Sequence, residues 1–241
     1  MRRASQLFLF VFATLMATGQ QTTYFSAEAA ATNDLYKITD PAGGLKTIPL
    51  LSGMLGFSFC TDINKHLFFE TGLLRKYYSE GIGFKAISSS SGGNAMNAWL
   101  IPLKFGTRLN LSKEKIHLVP VLGVVAGFNS DYGNGNGGQG GMVSTPHDSI
   151  HYSYVAHYDY SKNYYLLQTC LGLEFHLFQN VLLSLSGEYY FGMNKLIQED
   201  ISYTINNNPS QTATAISKGS MIGFAVAFRY PISNIWNKGK N

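Results

Sequence analysis

Two groups of residues in this chain carry side chains suited to chemistry. The first lies in segment 129–162. There Asp131, Asn134 and Asn136 precede a glycine-rich run, and His147, Asp148, His151, His157 and Asp159 follow among Tyr152, Tyr154, Tyr158 and Tyr160. Imidazoles with carboxylates can hold a transition metal, and Asp and Asn oxygens can hold Ca²⁺. The spacings match no standard zinc or EF-hand pattern, whereas Tyr mixed with Gly, Ser and Asn is the composition of an adaptable recognition surface. The segment is read as an exposed recognition loop, and no catalytic, cofactor-binding or metal-ligating residue is assigned. Its run Gly133–Gly141 is expected to lack regular structure, since glycine loses the most entropy on ordering.

The second group is a set of charges at recurring places in otherwise apolar segments: Glu28, Glu70, Glu174 and Glu188 against Lys76, Lys104, Arg108 and Arg229. Their meaning depends on the elements that carry them. In Ala98–Leu109, Trp99, Ile101, Leu103, Phe105, Thr107 and Leu109 share one parity; Leu100, Pro102, Lys104, Gly106 and Arg108 share the other. A strand sends those parities to opposite sides. One side is apolar and the other holds two cations and a glycine, as in a strand with lipid outside and a polar lumen inside.

The same alternation recurs in Tyr164–His176, Val181–Gly192 and Gly219–Tyr230, and more loosely in Leu50–Cys60 and Leu67–Tyr78. His117–Phe128 is nearly all apolar, which leaves its facing open. Those are seven strands, and bacterial single-chain barrels have even numbers. Thr22–Ala31 supplies the eighth, with Phe25, Ala27 and Ala29 alternating with Tyr24, Ser26 and Glu28. The connections 32–49, 79–97, 129–162 and 193–218 are long, while 62–66, 110–116 and 177–180 are short. Strict alternation of long and short connections is the mark of a membrane barrel with tight periplasmic turns and long outer loops. The expected fold is all-β, an eight-stranded antiparallel up-and-down transmembrane β-barrel. A soluble barrel would reverse the polarity and has no reason for such loop asymmetry.

Eight strands enclose only side-chain-filled space, and unpaired charges there are costly. Lys104, Arg108 and Arg229 are therefore expected to form ion pairs with Glu70, Glu174 and Glu188, closing the lumen. The four glutamates make no glycosidase pair, because such a lumen has no sugar-sized cleft. Cys60 and Cys170 point inward from well-separated strands and are expected as free, buried thiols.

The ends and the composition fit export. Met1-Arg2-Arg3, the apolar run Leu7–Met16 and the small residues Ala17-Thr18-Gly19 read as a signal peptide over residues 1–19. The barrel is expected over 20–231 and a short periplasmic tail over 232–241. Charged residues make up 13% of the chain and aromatics 14%, against about a quarter charged in soluble domains. A net charge of +4 is too small to argue for nucleic acid.

A family resemblance rests on Glu70-Thr-Gly-Leu-Leu-Arg-Lys-Tyr-Tyr-Ser-Glu-Gly81, Trp99-Leu-Ile-Pro-Leu103, Pro120-Val-Leu-Gly123 and Gly172-Leu-Glu174. These resemble the small outer-membrane β-barrels of Bacteroidetes, a group that includes PorT-like and porin-like proteins and is akin in shape to OmpA and OmpX. The resemblance implies the outer membrane of a Gram-negative cell, contact with its lipid, and no particular substrate. Gly223-Phe-Ala-Val-Ala-Phe228 resembles the signal read by the outer-membrane insertion machinery, although the chain does not end on an aromatic. His151-Tyr152-Ser153 resembles the His-x-Ser pair of lipid A deacylases, but it lies in a loop rather than a strand wall. The chain is therefore read as a non-enzymatic barrel with a structural or interaction role, through long loops that could meet an extracellular ligand. The alternatives are a PorT-like part of a secretion or assembly machine that binds secretion-system proteins, then a small porin, then a lipid A deacylase-like enzyme.

Overall fold

A computed structural model describes residues 22–86, 92–112, 115–144, 149–178, 181–206 and 208–232. The expected signal peptide, and the expected tail beyond Ile232, lie outside the described residues. The elements in chain order are β1 (Thr23–Asp34), β2 (Lys37–Thr39), β3 (Leu45–Thr47), β4 (Leu51–Asp62), β5 (Leu67–Phe84), β6 (Gly92–Thr107), β7 (Leu109–Ser112) and β8 (Ile116–Asn129). They continue with β9 (Gly133–Ser144), β10 (Ser149–Tyr160), β11 (Asn163–His176), β12 (Leu182–Gly192), β13 (Ile197–Ile205), β14 (Gln211–Ser217) and β15 (Met221–Pro231).

Eight of these close a barrel. The pairing order β1-β4-β5-β6-β8-β11-β12-β15 returns to β1, every pair antiparallel. Each strand sits where the apolar–polar alternation places it, and the parities face as expected. Leu171, Phe105 and Leu122 are 58%, 59% and 67% exposed on the outside, while Lys104, Arg108, Glu174 and Arg229 are buried inside. The open facing of β8 resolves with His117, Val119, Val121 and Val125 inward and Leu122, Val124 and Phe128 outward.

Aromatic rings mark both ends of the apolar outer band. Phe25, Phe57, Phe59, Phe105 and Phe228 lie toward the short-turn rim, where Phe25 stacks on Phe57 at 5.5 Å between centroids. Trp99, Phe128, Tyr165, Tyr189 and Phe191 lie toward the other rim. There the outward-facing Arg75 is seated over Trp99, its guanidinium carbon 4.9 Å from the ring centre. Such interfacial girdles anchor transmembrane barrels.

Two glycines inside the lumen make room for rings. Gly106 pairs with Phe68 and Gly127 with Tyr164 across neighbouring strands. A Cβ at either position would lie 2.2 Å from the facing ring, so the aromatic lies flat on bare backbone. Above this level Tyr78, Tyr164 and Tyr190 pack with Met54, Met96, Leu100, Leu166 and Met221 into an apolar plug. Leu196 and Ile197, arriving from the long connection after β12, complete it from above.

The long connections depart from the expectation of open loops. β2, β14, β13, β10 and β9 form a second, five-stranded sheet in that order, and β3 pairs with the end of β5. Together they build a folded cap over the outer rim. Its core is Leu45, Phe84, Ala156, Ile201, Tyr203, Ala213 and Ala215. The glycine run expected to lack regular structure is a strand, β9, in register with β10 from Gly133↔Tyr160 to Ser144↔Ser149. The reason is the partner strand: a Cβ on Gly137 would lie 2.8 Å from the Tyr158 ring. Tyrosine rings from β10 thus cover the glycine backbone, and this packing together with the ladder hydrogen bonds offsets the entropy cost of ordering glycine.

The outward parity of Leu103 and Leu171 predicts a directional effect. Leu103→Arg or Leu171→Arg is expected to cost about 2–4 kcal/mol, as for a cation on the lipid face near the midplane of such barrels. Val155→Arg on the exposed face of the cap should be nearly neutral. Urea unfolding in lipid vesicles measures the difference, and equal stability of Leu103→Arg and wild type would contradict the assigned facing.

Candidate functional site

The lumen charges come from seven barrel strands, β1, β4, β5, β6, β11, β12 and β15, with Arg108 just past the end of β6. Lys104 Nζ lies 3.0 Å from Glu28 Oε2 and 3.0 Å from Glu70 Oε1. Arg229 reaches Glu70 Oε2 at 2.6 Å and also pairs with Glu174. Arg108 donates from Nε to Glu174 and from Nη1 to Asp62, each at 2.5 Å. Glu174 is thus held by two guanidiniums, and each of those has a second carboxylate. Phe68 lies beside both arginines, with guanidinium carbons 4.8 Å (Arg108) and 5.4 Å (Arg229) from its ring centre.

The expected pairs with Glu70 and Glu174 are present. The pair with Glu188 is not: its carboxylate accepts from the Tyr190 hydroxyl at 2.8 Å and makes a longer contact with the Gln168 amide at 3.4 Å. Glu188 sits on β12, where Tyr190 is its neighbour two residues on and on the same face, so a local neutral donor takes the place of a distant cation. Glu28 and Asp62 are the partners that sequence reasoning leaves out of the pairing. Asp62 closes β4 at the edge of a short turn, which hides its inward direction. Asp34 escapes in the same way. It ends β1 and takes Lys76 in a separate buried pair at 2.8 Å, with Ser52 Oγ donating to it at 2.9 Å and the Ser79 N–H at 2.8 Å.

These contacts fill the bore. In its middle a cavity of about 20 Å³ remains, lined by residues including Glu28, Lys104, Gln168 and Glu188, which is room for about one water. Cys60 and Cys170 are both free thiols; Cys60 is buried, whereas Cys170 is only half-buried, against the expectation of two buried thiols.

The residues singled out in 129–162 separate. His147 and Asp148 lie outside the described residues. His151, Ser153, His157 and Asp159 share one parity of β10 and face outward from the cap, while Tyr152, Tyr154 and Tyr158 pack toward its core. His157 Nδ1 is 2.6 Å from Asn136 Oδ1, and Asp159 takes the Lys195 ammonium at 3.0 Å. Ser153 Oγ is 2.8 Å from Thr204 Oγ1, so the His-x-Ser triplet has its hydroxyl engaged on a cap strand and not in the barrel wall.

Register crosses the whole cap in one row: Asn136↔His157↔Asp200↔Thr214↔Thr39, from β9 to β2. Thr214 donates to Asp200 at 3.2 Å, and Gln198 donates to the same carboxylate. Beside this row a surface hollow of about 500 Å³ is lined by residues including Pro41, His157, Asp200 and Thr212.

The cap is tied down by Asp40, in the turn between β2 and β3. Its carboxylate accepts from the Leu45 N–H at 2.7 Å, from the Ala42 N–H at 3.2 Å and from the Tyr203 hydroxyl at 3.0 Å. Burial pushes the Asp40 carboxyl up, but the Leu45, Tyr203 and Ala42 hydrogen bonds outweigh it and hold the group below its ordinary range. Gly43 closes the turn at φ 69°, a backbone angle that glycine adopts without strain.

No protein-family model matches the chain, and no curated protein matches it. Among solved structures it is similar to the outer-membrane protein OprG of Pseudomonas aeruginosa (12% identity, 87% of this chain and 96% of that one, TM-score 0.45). It is also similar to Neisserial surface protein A (14% identity, 88% and 99%, TM-score 0.41) and to a major outer membrane protein of Thermus thermophilus (14%, 86% and 99%, TM-score 0.36). At these values the likeness carries no argument about what this chain does. Its own geometry defines the class: a closed eight-stranded barrel, apolar outside, charged inside and girdled at both ends, is a transmembrane barrel of the bacterial outer membrane.

Two expectations follow from the site. Glu174→Gln leaves Arg108 and Arg229 sharing fewer carboxylates and should destabilise the barrel by about 3–5 kcal/mol, as when one partner of a buried pair is removed. Unfolding in vesicles reads this directly, and a cost below that of Ser153→Ala in the cap would mean the network is incidental.

The second concerns pH. A carboxyl held below its unfolded value stabilises the fold above the ordinary aspartate range, and that contribution is lost as pH falls through the depressed value. The protection factor of the Leu45 amide, its exchange rate relative to an unstructured amide at the same pH, should therefore fall on acidification in wild type and show no such acid step in Asp40→Asn.

Proposed function

We propose that this protein is a non-enzymatic interaction barrel whose working part is the folded cap, presented at the cell surface on an occluded transmembrane pedestal. The observation that carries this reading is the five-stranded cap sheet, built from three of the four long connections, whose exposed face bears a continuous row of hydrogen-bonding side chains. A polar row beside an open hollow suits a ligand or partner rich in hydrogen-bonding groups. The lumen supports the same reading by elimination of a path: the tyrosine plug and the ion pairs occupy it, and a pore for hydrated ions would need to displace both. A PorT-like role in a secretion or assembly machine is a second reading, favoured by the sequence resemblance and by the ready-made docking surface of the cap.

Segment 131–160, which carries two of the five cap strands, can be excised for a test. The Asn129 N–H donates to the Lys162 carbonyl at 2.8 Å, so the ends of β8 and β11 are already bridged. Replacing 131–160 by a short turn should leave a barrel that inserts and keeps its heat-modifiable mobility, while abolishing co-purification of cell-surface partners in mild detergent. Wild type should show no steady conductance in planar bilayers. Steady conductance would favour a porin, and unchanged partner recovery without 131–160 would move the interaction to the periplasmic rim.

A further inference from the structure

We infer that His117, Glu174 and His176 form a binding site for a transition-metal dication at the short-turn mouth of the barrel, which in this class faces the periplasm. The strand register creates the cluster. His117 on β8 stands directly opposite Glu174 on β11, and His176, two residues further along β11, has the same parity. One ligand atom from each lies within 4.8 Å of the others. His117 Nδ1 is 3.9 Å from Glu174 Oε1, and the two imidazoles meet edge to face with centroids 4.9 Å apart.

Access favours the site. Both histidines line a vestibule of about 420 Å³, together with His66, Asp62, Lys65 and Arg108. Among the described residues of the connected ion-pair network, Glu28, Asp62, Glu70 and Glu174 outnumber Lys104, Arg108 and Arg229 by one. The formal surplus is negative. Glu174 can share an oxygen with a metal without stranding either guanidinium, because Arg108 keeps Asp62 and Arg229 keeps Glu70.

The donor set selects the ion. Two imidazoles and one carboxylate suit Zn²⁺, Ni²⁺ or Cu²⁺, whereas Ca²⁺ and Mg²⁺ take oxygen ligands. Arg108 and Arg229 act as the outer partners that orient the ligating carboxylate. Their positive charge also weakens the site relative to a closed structural zinc centre, which fits a reversible site rather than one needed for folding. Both histidines line the vestibule, so water and ions reach the cluster from that side.

The test uses the full chain folded in detergent, with zinc chloride as the titrant in calorimetry and Co²⁺ as a spectroscopic reporter. Wild type should bind one zinc saturably, and Co²⁺ should give visible absorption bands of nitrogen and oxygen ligation. His176→Ala, at the half-buried end of β11, should weaken binding at least about tenfold, the loss expected when a site is disrupted, with heat-modifiable mobility unchanged. His117→Ala should do the same. The cap double variant His151→Ala/His157→Ala should bind as wild type does. Absence of saturable zinc binding to wild type overturns the proposal, as does zinc binding that survives His176→Ala and His117→Ala or that is lost in the cap variant.

Discussion

The structure depends on how charge is satisfied inside a narrow bore wrapped in lipid. Glu174 is fully buried between Arg108 and Arg229, and those two cations reach on to Asp62 and Glu70. Lys104 then joins Glu70 to Glu28. The chain of contacts crosses from β11 to β15, β5, β6, β1 and β4, so nearly every barrel strand contributes a member. A register slip of one residue would turn a strand's charges toward lipid and strand their partners. The network therefore specifies the closed arrangement as much as it stabilises it, and it fills the space through which a solute would pass.

Aromatic rings laid over glycine provide the second device, and barrel and cap share it. In the lumen, Phe68 covers Gly106 and Tyr164 covers Gly127. In the cap, Tyr158 covers Gly137. In each case a ring gains a flat apolar contact and a glycine backbone gains protection from solvent. The lumen version also sets Phe68 beside two guanidiniums, which ties the apolar and ionic parts of the core together.

The cap is continuous with the barrel rather than tethered to it. β5 runs through the outer rim to pair with β3, and Leu196 and Ile197 enter the plug just as the chain leaves for β13. Asp40 fastens the first excursion to Tyr203 of the last. A ligand at the outer face of the cap would therefore meet a sheet joined to the barrel at several points. The histidine cluster lies at the opposite mouth.

The barrel was legible in the sequence because its determinants are local. Strict alternation tells which side of a strand each residue takes, and loop lengths tell which rim each turn occupies, so Leu103, Lys104 and Arg108 could be placed without a partner in view. The stretch from Val119 to Val125 could not, since an apolar run has no parity to read and only its neighbours turn Val121 inward. Pairing was legible in part: the identity of most lumen charges follows from parity, but that Asp62 joins Glu174 on Arg108 while Glu188 turns to Tyr190 does not, because strand stagger sets which inward residues share a level. The cap was invisible for the same physical reason. Gly133–Gly141 has no pattern of its own and becomes a strand only when the tyrosines of β10 lie against it, and His117 and His176, 59 positions apart, become neighbours only through the register of β8 with β11. Sequence by itself determined what depends on period and length, namely the closed amphipathic wall; tertiary structure decided what depends on distance across the wall, because hydrogen-bonded register and ring-on-backbone packing are properties of pairs of strands and not of either strand alone.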